Sequence, residues 1–370
     1  MILAESSKRT QQTKTNIFFW SNSSQPAVAR CRWRLYNDMT DLLTGGSHQV
    51  EKGTIAMSHF ADRLIAAIKE KGNAACVGID PVFDRLPADF TANVDQSDTE
   101  AVIDGVLEYG RKVIRIVAPH IPAVKLNIAF FEQFLWEGVE AYFDLVQEAN
   151  SLGLIVVGDI KRGDIGHSSS AYATGHLAGT ESMTMQGMQS PDAVTINPYF
   201  GLDGVKPFID AAKGEGKGVF VLVRTSNESA DSIQGLHTGD GRTVADEVGK
   251  LVEEWAIEDG LVGSSGYSAV GAVVSPTDVE ATRRLRQAMP HCFFLVPGFG
   301  AQGRTADDVA CCFREDGLGA LVNASRSVIY AYENMKYIEM YTSEWDKCVE
   351  HACRDFVKSL NQAVPAMTAT

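Results

Sequence analysis

Eight short apolar runs, each followed by a longer amphipathic or polar stretch, recur from residue 74 onward. They are Ala75–Ile79, Ala123–Asn127, Leu154–Ile160, Ala193–Asn197, Val219–Val223, Val270–Val274, Cys292–Val296 and Ala320–Asn323. Runs of this length, rich in β-branched and aliphatic residues, read as strands. The intervening stretches Thr99–Val117, Phe130–Ala149, Thr243–Ile257 and Thr277–Met289 carry a helical apolar period, and the last begins at Ser275-Pro276-Thr277-Asp278, a capped start with proline near the first turn. Strands that alternate with helices build a parallel sheet. Eight such units with right-handed crossovers predict an α/β fold of the (β/α)8 TIM barrel type rather than an open doubly wound sheet. A barrel of ~250 residues is one domain, so residues 57–330 are expected to form a single unit within the 370-residue chain.

The flanks read differently. Residues 1–56 are rich in Ser, Thr, Gln and Asn, hold seven basic and four acidic side chains, and lack the continuous apolar stretch of a signal peptide. A poorly ordered extension is expected, with Met57 as an internal translation start or the segment as a transit peptide. Residues 331–370 are expected to form a helical tail, with Tyr337, Met340, Tyr341, Trp345, Cys348 and Cys353 on its apolar faces, packing on the barrel or at a dimer.

Composition narrows the function. Thirty-three basic residues against 47 acidic give a net charge of −14, which opposes nonspecific attraction to nucleic acid or anionic lipid. An anionic substrate needs a local cationic pocket. No apolar run approaches the ~20 residues that span a bilayer. Seven cysteines, at 31, 76, 292, 311, 312, 348 and 353, include no Cys-x-x-Cys pair and no zinc-type cluster. Reduced thiols in a cytoplasmic protein, with no bound metal, are the expectation.

The chemistry concentrates where strands end. Residues 159–164 read Asp-Ile-Lys-Arg-Gly-Asp directly after Leu154-Ile155-Val156-Val157-Gly158. Buried ions cost several kcal/mol each unless they neutralise one another, so this string needs a compensating network. The strand period places Asp159 and Lys161 on one face and Asp164 on the loop beyond. A solvated loop or a structural ion-pair network is the plain alternative. Asp80 ends the first run, Lys125 and Asn127 lie in the second, and Ser325 and Arg326 follow the eighth, as expected if catalytic groups gather at the carboxyl ends of barrel strands. Lys125 requires a carboxylate partner if buried and none if it is a rim residue. Val296-Pro297-Gly298-Phe299-Gly300-Ala301-Gln302-Gly303, leading to a helix at Thr305-Ala306-Asp307-Asp308, offers glycine amides to an anion, with Arg326 nearby as a phosphate ligand. Residues Arg224 to Arg242 form a long glycine-containing stretch that reads as a lid or a disordered segment.

Seven segments in order then carry a resemblance. Cys-Val-Gly-Ile-Asp-Pro (76–81), Lys-Leu-Asn (125–127), Asp-Ile-Lys-Arg-Gly-Asp-Ile-Gly (159–166), Asn-Pro-Tyr-Phe-Gly (197–201), Arg-Thr-Ser-Asn (224–227), Pro-Gly-Phe-Gly-Ala-Gln-Gly (297–303) and Asn-Ala-Ser-Arg (323–326) resemble orotidine 5'-phosphate decarboxylase of the longer bacterial-type branch. The resemblance covers residues 58–330, and its most specific element is Asp-x-Lys-x-x-Asp. It implies conversion of orotidine 5'-monophosphate to uridine 5'-monophosphate and carbon dioxide without a cofactor, by a homodimer. By the same resemblance Lys125, Asp159, Lys161 and Asp164 form a charged tetrad, with Asp164 and Ser168 reaching the neighbouring subunit's site. Asp80 and Asn127 belong to the substrate site, Ser226 contacts the pyrimidine, and Gly300, Gln302, Gly303 and Arg326 belong to the phosphate region.

The implied chemistry is coherent. Loss of carbon dioxide from C6 leaves an sp2 carbanion with no adjacent carbonyl, and a fixed ammonium at Lys161 can stabilise and protonate it. Three other readings stay open: a metal-dependent sugar-phosphate decarboxylase on a similar barrel, a Schiff-base aldolase using Lys125 or Lys161, and a nucleotide-binding barrel without catalysis. Flanking acids keep a lysine charged and so disfavour the aldolase.

Overall fold

The computed structural model describes residues 59–180, 187–299, 306–342 and 344–367. The expected N-terminal extension lies outside the described residues.

Eight parallel strands close into one barrel in sequence order: β1 Ala75–Ile79, β2 Ala123–Asn127, β3 Ile155–Arg162, β4 Ala193–Ile196, β5 Gly218–Arg224, β6 Val270–Val274, β7 Phe294–Val296 and β8 Ala320–Ala324. Closure comes from β1 pairing with β8, with Cys76 opposite Asn323. The β2–β3 register sets Lys125 beside Val157 and Asn127 beside Asp159, so the charged positions of neighbouring strands rise to the same end.

Local sequence accounts for several helix ends. The helix Thr99–Val117 starts where Asp98 accepts hydrogen bonds from the amides of Glu100 and Ala101, and it buries Val102, Ile103, Val106, Leu107, Val113, Ile114 and Val117 at helical spacing. Thr243 and Asp246 form a reciprocal capping box on Val244–Ala256.

Three expected elements differ in the structure. The stretch from Phe130 is two helices, Ala129–Glu132 and Leu135–Ser151, with Leu135, the first residue of the second, at φ 60°. The helix expected from Thr277 begins at Val279, because Asp278 rather than a residue near Pro276 caps it, accepting from the Ala281 amide at 2.9 Å. The segment after β5 is ordered rather than disordered. It contains a turn of 3-10 helix, Glu228–Ser232, and Gln234 bonds both the amide and the hydroxyl of Thr225 at 2.9 and 2.8 Å. Arg224 binds Asp231 at 2.6 Å.

After β8 the chain forms the helices Met335–Tyr341 and Trp345–Ala363. Trp345 packs against Phe90 and Tyr109, with ring centroids 5.3 and 5.6 Å away, and Phe356 against Phe299 at 4.8 Å. Among the described residues no helix is long and apolar enough to cross a membrane.

The strand end of the barrel opposite the charged mouth is tied by a buried cation. Arg286, 7% exposed, donates to the carbonyls of Cys292 at 2.8 Å, Gly319 at 2.9 Å and Met289, and its guanidinium lies 3.9 Å from the Phe294 ring centroid. Arg286→Met keeps bulk but orphans these carbonyls. It is expected to lower unfolding free energy by about 2–3 kcal/mol in urea titrations followed by tryptophan fluorescence.

Candidate active site

The site grows from an irregularity in β3. Asp159 continues the strand's period and is buried, but the pairing with β4 shifts register between Gly158 and Arg162. Within that gap Lys161 takes φ 48°, a left-handed conformation unusual for a side-chain-bearing residue. Its ammonium lies 2.6 Å from Asp159 Oδ1. The Lys161 amide donates to Thr195 Oγ1 on β4 at 3.0 Å, and that hydroxyl donates to Asp159 Oδ1 at 2.9 Å.

Lys125, on β2, is buried, which sets aside its reading as a rim residue. Its Nζ lies 2.8 Å from Asp159 Oδ2 and 3.7 Å from Asp80 Oδ1. One carboxylate therefore receives an ammonium on each oxygen. Burial pushes the Asp159 carboxyl up, but Lys125 and Lys161 outweigh it and hold the group well below the usual carboxylate range. Burial likewise pulls Lys125 down, and Asp159 and Asp80 more than reverse this, so its ammonium is held charged. Both effects suppress amine nucleophilicity and weaken the aldolase reading. Beneath the pair, burial raises the Cys76 thiol to about 12, so it faces Lys125 as a neutral group.

Asp80 stands just past β1 with Oδ1 buried and without a hydrogen-bond partner. A buried acceptor of this kind is ready for a ligand hydroxyl. Its loop is fixed from the other end of the chain: Tyr330 accepts from the Val82 amide at 2.7 Å and donates to the Asp80 carbonyl at 2.9 Å. Gly78 lets Ser325 pack close, since a Cβ there would overlap the Ser325 hydroxyl and force it to move.

Comparison with known proteins places this arrangement. A sequence model of the Orotidine 5'-phosphate decarboxylase / HUMPS family matches residues 94–341. The orotidine 5'-phosphate decarboxylase of Rhodopirellula baltica is 38% identical over 300 residues, covering 80% of this chain and 97% of that protein. That of Caldicellulosiruptor saccharolyticus is 36% identical over 312 residues, 83% of this chain and 100% of its own. This chain belongs to the orotidine 5'-phosphate decarboxylase / HUMPS family. The solved OMP decarboxylase of Leishmania donovani superposes with a TM-score of 0.61 at 28% identity, over 82% of this chain and 98% of that one.

Within this member of the decarboxylase family the structure brings Asp80, Lys125, Asp159 and Lys161 together. It does not bring Asp164 into their ion pairs: that carboxylate accepts from the Ile165 amide at 2.8 Å, and makes no ion pair among the described residues. Ser168 is exposed on the helix Gly166–Ala173. Asn127 accepts from the Ala129 amide at 3.2 Å, serving the turn after β2. Ser226 is half-buried just past β5. Arg326 is exposed in the first turn of Arg326–Ile329 and makes no ion pair among the described residues. Gly300, Gln302 and Gly303 lie outside the described residues. Of the helix expected to open at Thr305, the described part is Ala306–Ala310. Among the described residues no group of three or more His, Cys, Asp or Glu side chains is arranged to hold a metal ion.

Two residues escaped the sequence reading. Thr195 looks like one β-branched member of an apolar strand, and only its alternation with Ala193 and Asn197 on one strand face hints at the barrel interior. Tyr330 lies four residues past Arg326, in what reads as the start of the tail.

Asp159→Asn removes the shared anion and leaves the Lys125 ammonium buried without its main partner. A loss of about 3–5 kcal/mol in denaturant titrations near neutral pH is expected. The folded carboxyl lies below its unfolded value, so its stabilisation is complete above the unfolded pKa of ~3.9 and is lost as pH falls toward the folded one. The gap between wild type and Asp159→Asn should therefore be full at about pH 6–7 and narrow below about pH 4.

Proposed function

We propose that this chain converts orotidine 5'-monophosphate to uridine 5'-monophosphate and carbon dioxide in pyrimidine nucleotide synthesis, with Lys161 as the electrostatic stabiliser and proton donor at C6. The observation that carries this reading is the Lys161 ammonium held 2.6 Å from Asp159, at the rim of a pair already neutralised by Lys125 from below. The Lys161 side chain is 48% exposed while Asp159 and Lys125 are each 8% exposed, so one charge of the network is presented to a ligand and the others are its foundation.

The step balances without an external reagent. The C6–carboxylate bond breaks, its electron pair stays on C6, and an N–H proton of Lys161 moves to that carbon. Solvent then returns a proton to the amine. The ammonium acts where negative charge develops, in a site with low reorganisation. Asp80 and Lys125 address the ribose hydroxyls, Ser226 the pyrimidine edge, and Arg326 with Gln302 and Gly303 the phosphate. Binding energy at that remote phosphate can be spent on organising the pyrimidine end. A metal-dependent sugar-phosphate reaction needs further acidic ligands around the mouth; a chelator control addresses it directly.

The assembly we propose is a homodimer in which Asp164 and Ser168 complete the neighbouring site. Asp164 makes no contact with its own chain's lysines within ion-pair range, and it sits beside exposed apolar groups: Ile165 at 56%, Tyr199 at 81% and Phe200 at 50%. Helix Leu202–Glu215 approaches this loop closely, since a Cβ on Gly204 would lie 2.7 Å from the Asp164 carbonyl oxygen. Exposed apolar side chains near a carboxylate that makes no ion pair within its own chain fit an interface that carries a catalytic group.

Purified protein mixed with orotidine 5'-monophosphate should show the ultraviolet change of decarboxylation, unaltered by chelator. Lys161→Ala should lose at least about 10³-fold in kcat while binding of uridine 5'-monophosphate stays within about threefold; near-normal turnover in this variant would remove Lys161 from its role. Shared sites make a second prediction. Lys161→Ala and Asp164→Ala proteins, each inactive alone, should recover roughly a quarter of wild-type activity when unfolded, mixed equally and refolded, because half the dimers then hold one intact site. No recovery on mixing would show that Asp164 serves its own chain.

A further inference from the structure

One member of the network around Asp159 is uncharged. Thr195 is 1% exposed, and its single hydroxyl is used twice: Oγ1 accepts the Lys161 amide at 3.0 Å and donates to Asp159 Oδ1 at 2.9 Å. A hydroxyl has one proton to give, and an ionised carboxylate can only accept. The direction of the chain is therefore fixed, from amide to hydroxyl to carboxylate.

Backbone geometry explains why such a group is needed there. Between Gly158 and Arg162 the β3–β4 ladder is interrupted, and Lys161 sits at φ 48° within the interruption. Its amide has lost a regular strand partner, and a buried amide left unpaired is costly. A side-chain-bearing residue keeps a left-handed conformation only where its surroundings over-determine it. The Thr195 hydroxyl supplies both the missing acceptor and the tie to the carboxylate that the same lysine's ammonium binds. Backbone and side chain of Lys161 are thereby referenced to one oxygen.

We propose that Thr195 is a positioning residue for proton delivery by Lys161, an inference that rests on the decarboxylase reading. Its hydroxyl fixes the kink that brings the ammonium to Asp159 and orients the carboxylate that receives it. It also acts after the proton has moved: once Lys161 is a neutral amine, Asp159 Oδ1 has lost a charged partner, and the Thr195 donor at that oxygen keeps the carboxylate ionised opposite Lys125.

The test compares side chains of equal shape with and without the hydroxyl. Thr195→Val should lower kcat about 30- to 100-fold with KM changed less than about threefold, the signature of misplacement at the reacting atoms rather than weaker binding. Thr195→Ser, which keeps the donor and acceptor, should restore kcat to within about threefold of wild type. Deuterium exchange at C6 of bound uridine 5'-monophosphate in heavy water should slow by the same factor as kcat, since it uses the same proton transfer and no carbon dioxide. All rates are expressed per nucleotide-binding site, so a loss of folded protein alone leaves them unchanged; Thr195→Ala carries the comparison if the valine protein does not fold. Turnover per site within about threefold of wild type in the hydroxyl-free variant, or a serine variant as slow as valine, overturns the assignment. Wild-type protein that releases no carbon dioxide would overturn the decarboxylase reading instead.

Discussion

The structure depends on one carboxylate being shared. Asp159 sits in the barrel mouth with a lysine on each oxygen, Lys125 at 2.8 Å and Lys161 at 2.6 Å. That carboxylate holds Lys125 charged against burial, and the two lysines hold Asp159 ionised. The burial of Lys125 and Asp159 is tolerable because neighbouring strands bring the two to the same height, and the strand registers of the closed barrel set that height.

Around this network the fold assigns different duties to different ends of the strands. The mouth gathers Asp80, Lys125, Asp159 and Lys161 from three neighbouring strands, while the opposite end is tied by Arg286 bonding carbonyls from Met289, Cys292 and Gly319. Tyr330 links the segment after β8 to the loop after β1. The sequence neighbourhood of the phosphate-binding candidate Arg326 is thus joined to the loop of the ribose-binding candidate Asp80, and a ligand engaging both would load the two ends of the barrel seam together.

Much of this was legible in the chain. The eight strands follow from apolar runs bounded by glycine and polar residues, and their observed limits differ from expectation by at most two residues, as where β3 continues to Arg162 instead of stopping at Ile160. That difference is informative: Lys161 and Arg162 are charged and end an apolar pattern, yet the strand persists because neighbouring hydrogen bonds, including Arg162 with Asn197, hold it. The start of the helix at Val279 was misplaced because proline at a first turn and aspartate at a cap are both good signals, and only the Asp278 side chain's actual bond decides between them. The loop after β5 read as a lid or a disordered segment because glycines and polar residues carry no periodicity; its order comes from Gln234 and Arg224 reaching across the turn.

Sequence by itself determined that charged residues would crowd the ends of buried strands in a closed barrel, since alternation and apolar length are local properties of the chain. Which of those charges meet was a tertiary decision. Lys125 could have faced solvent, Asp164 could have joined its own chain's ion pairs, and Thr195 could have been mere packing. Strand register, and the left-handed turn at Lys161 that breaks it, settled the first and the last, because contact between groups more than thirty residues apart is fixed by how strands align and not by what any strand prefers alone.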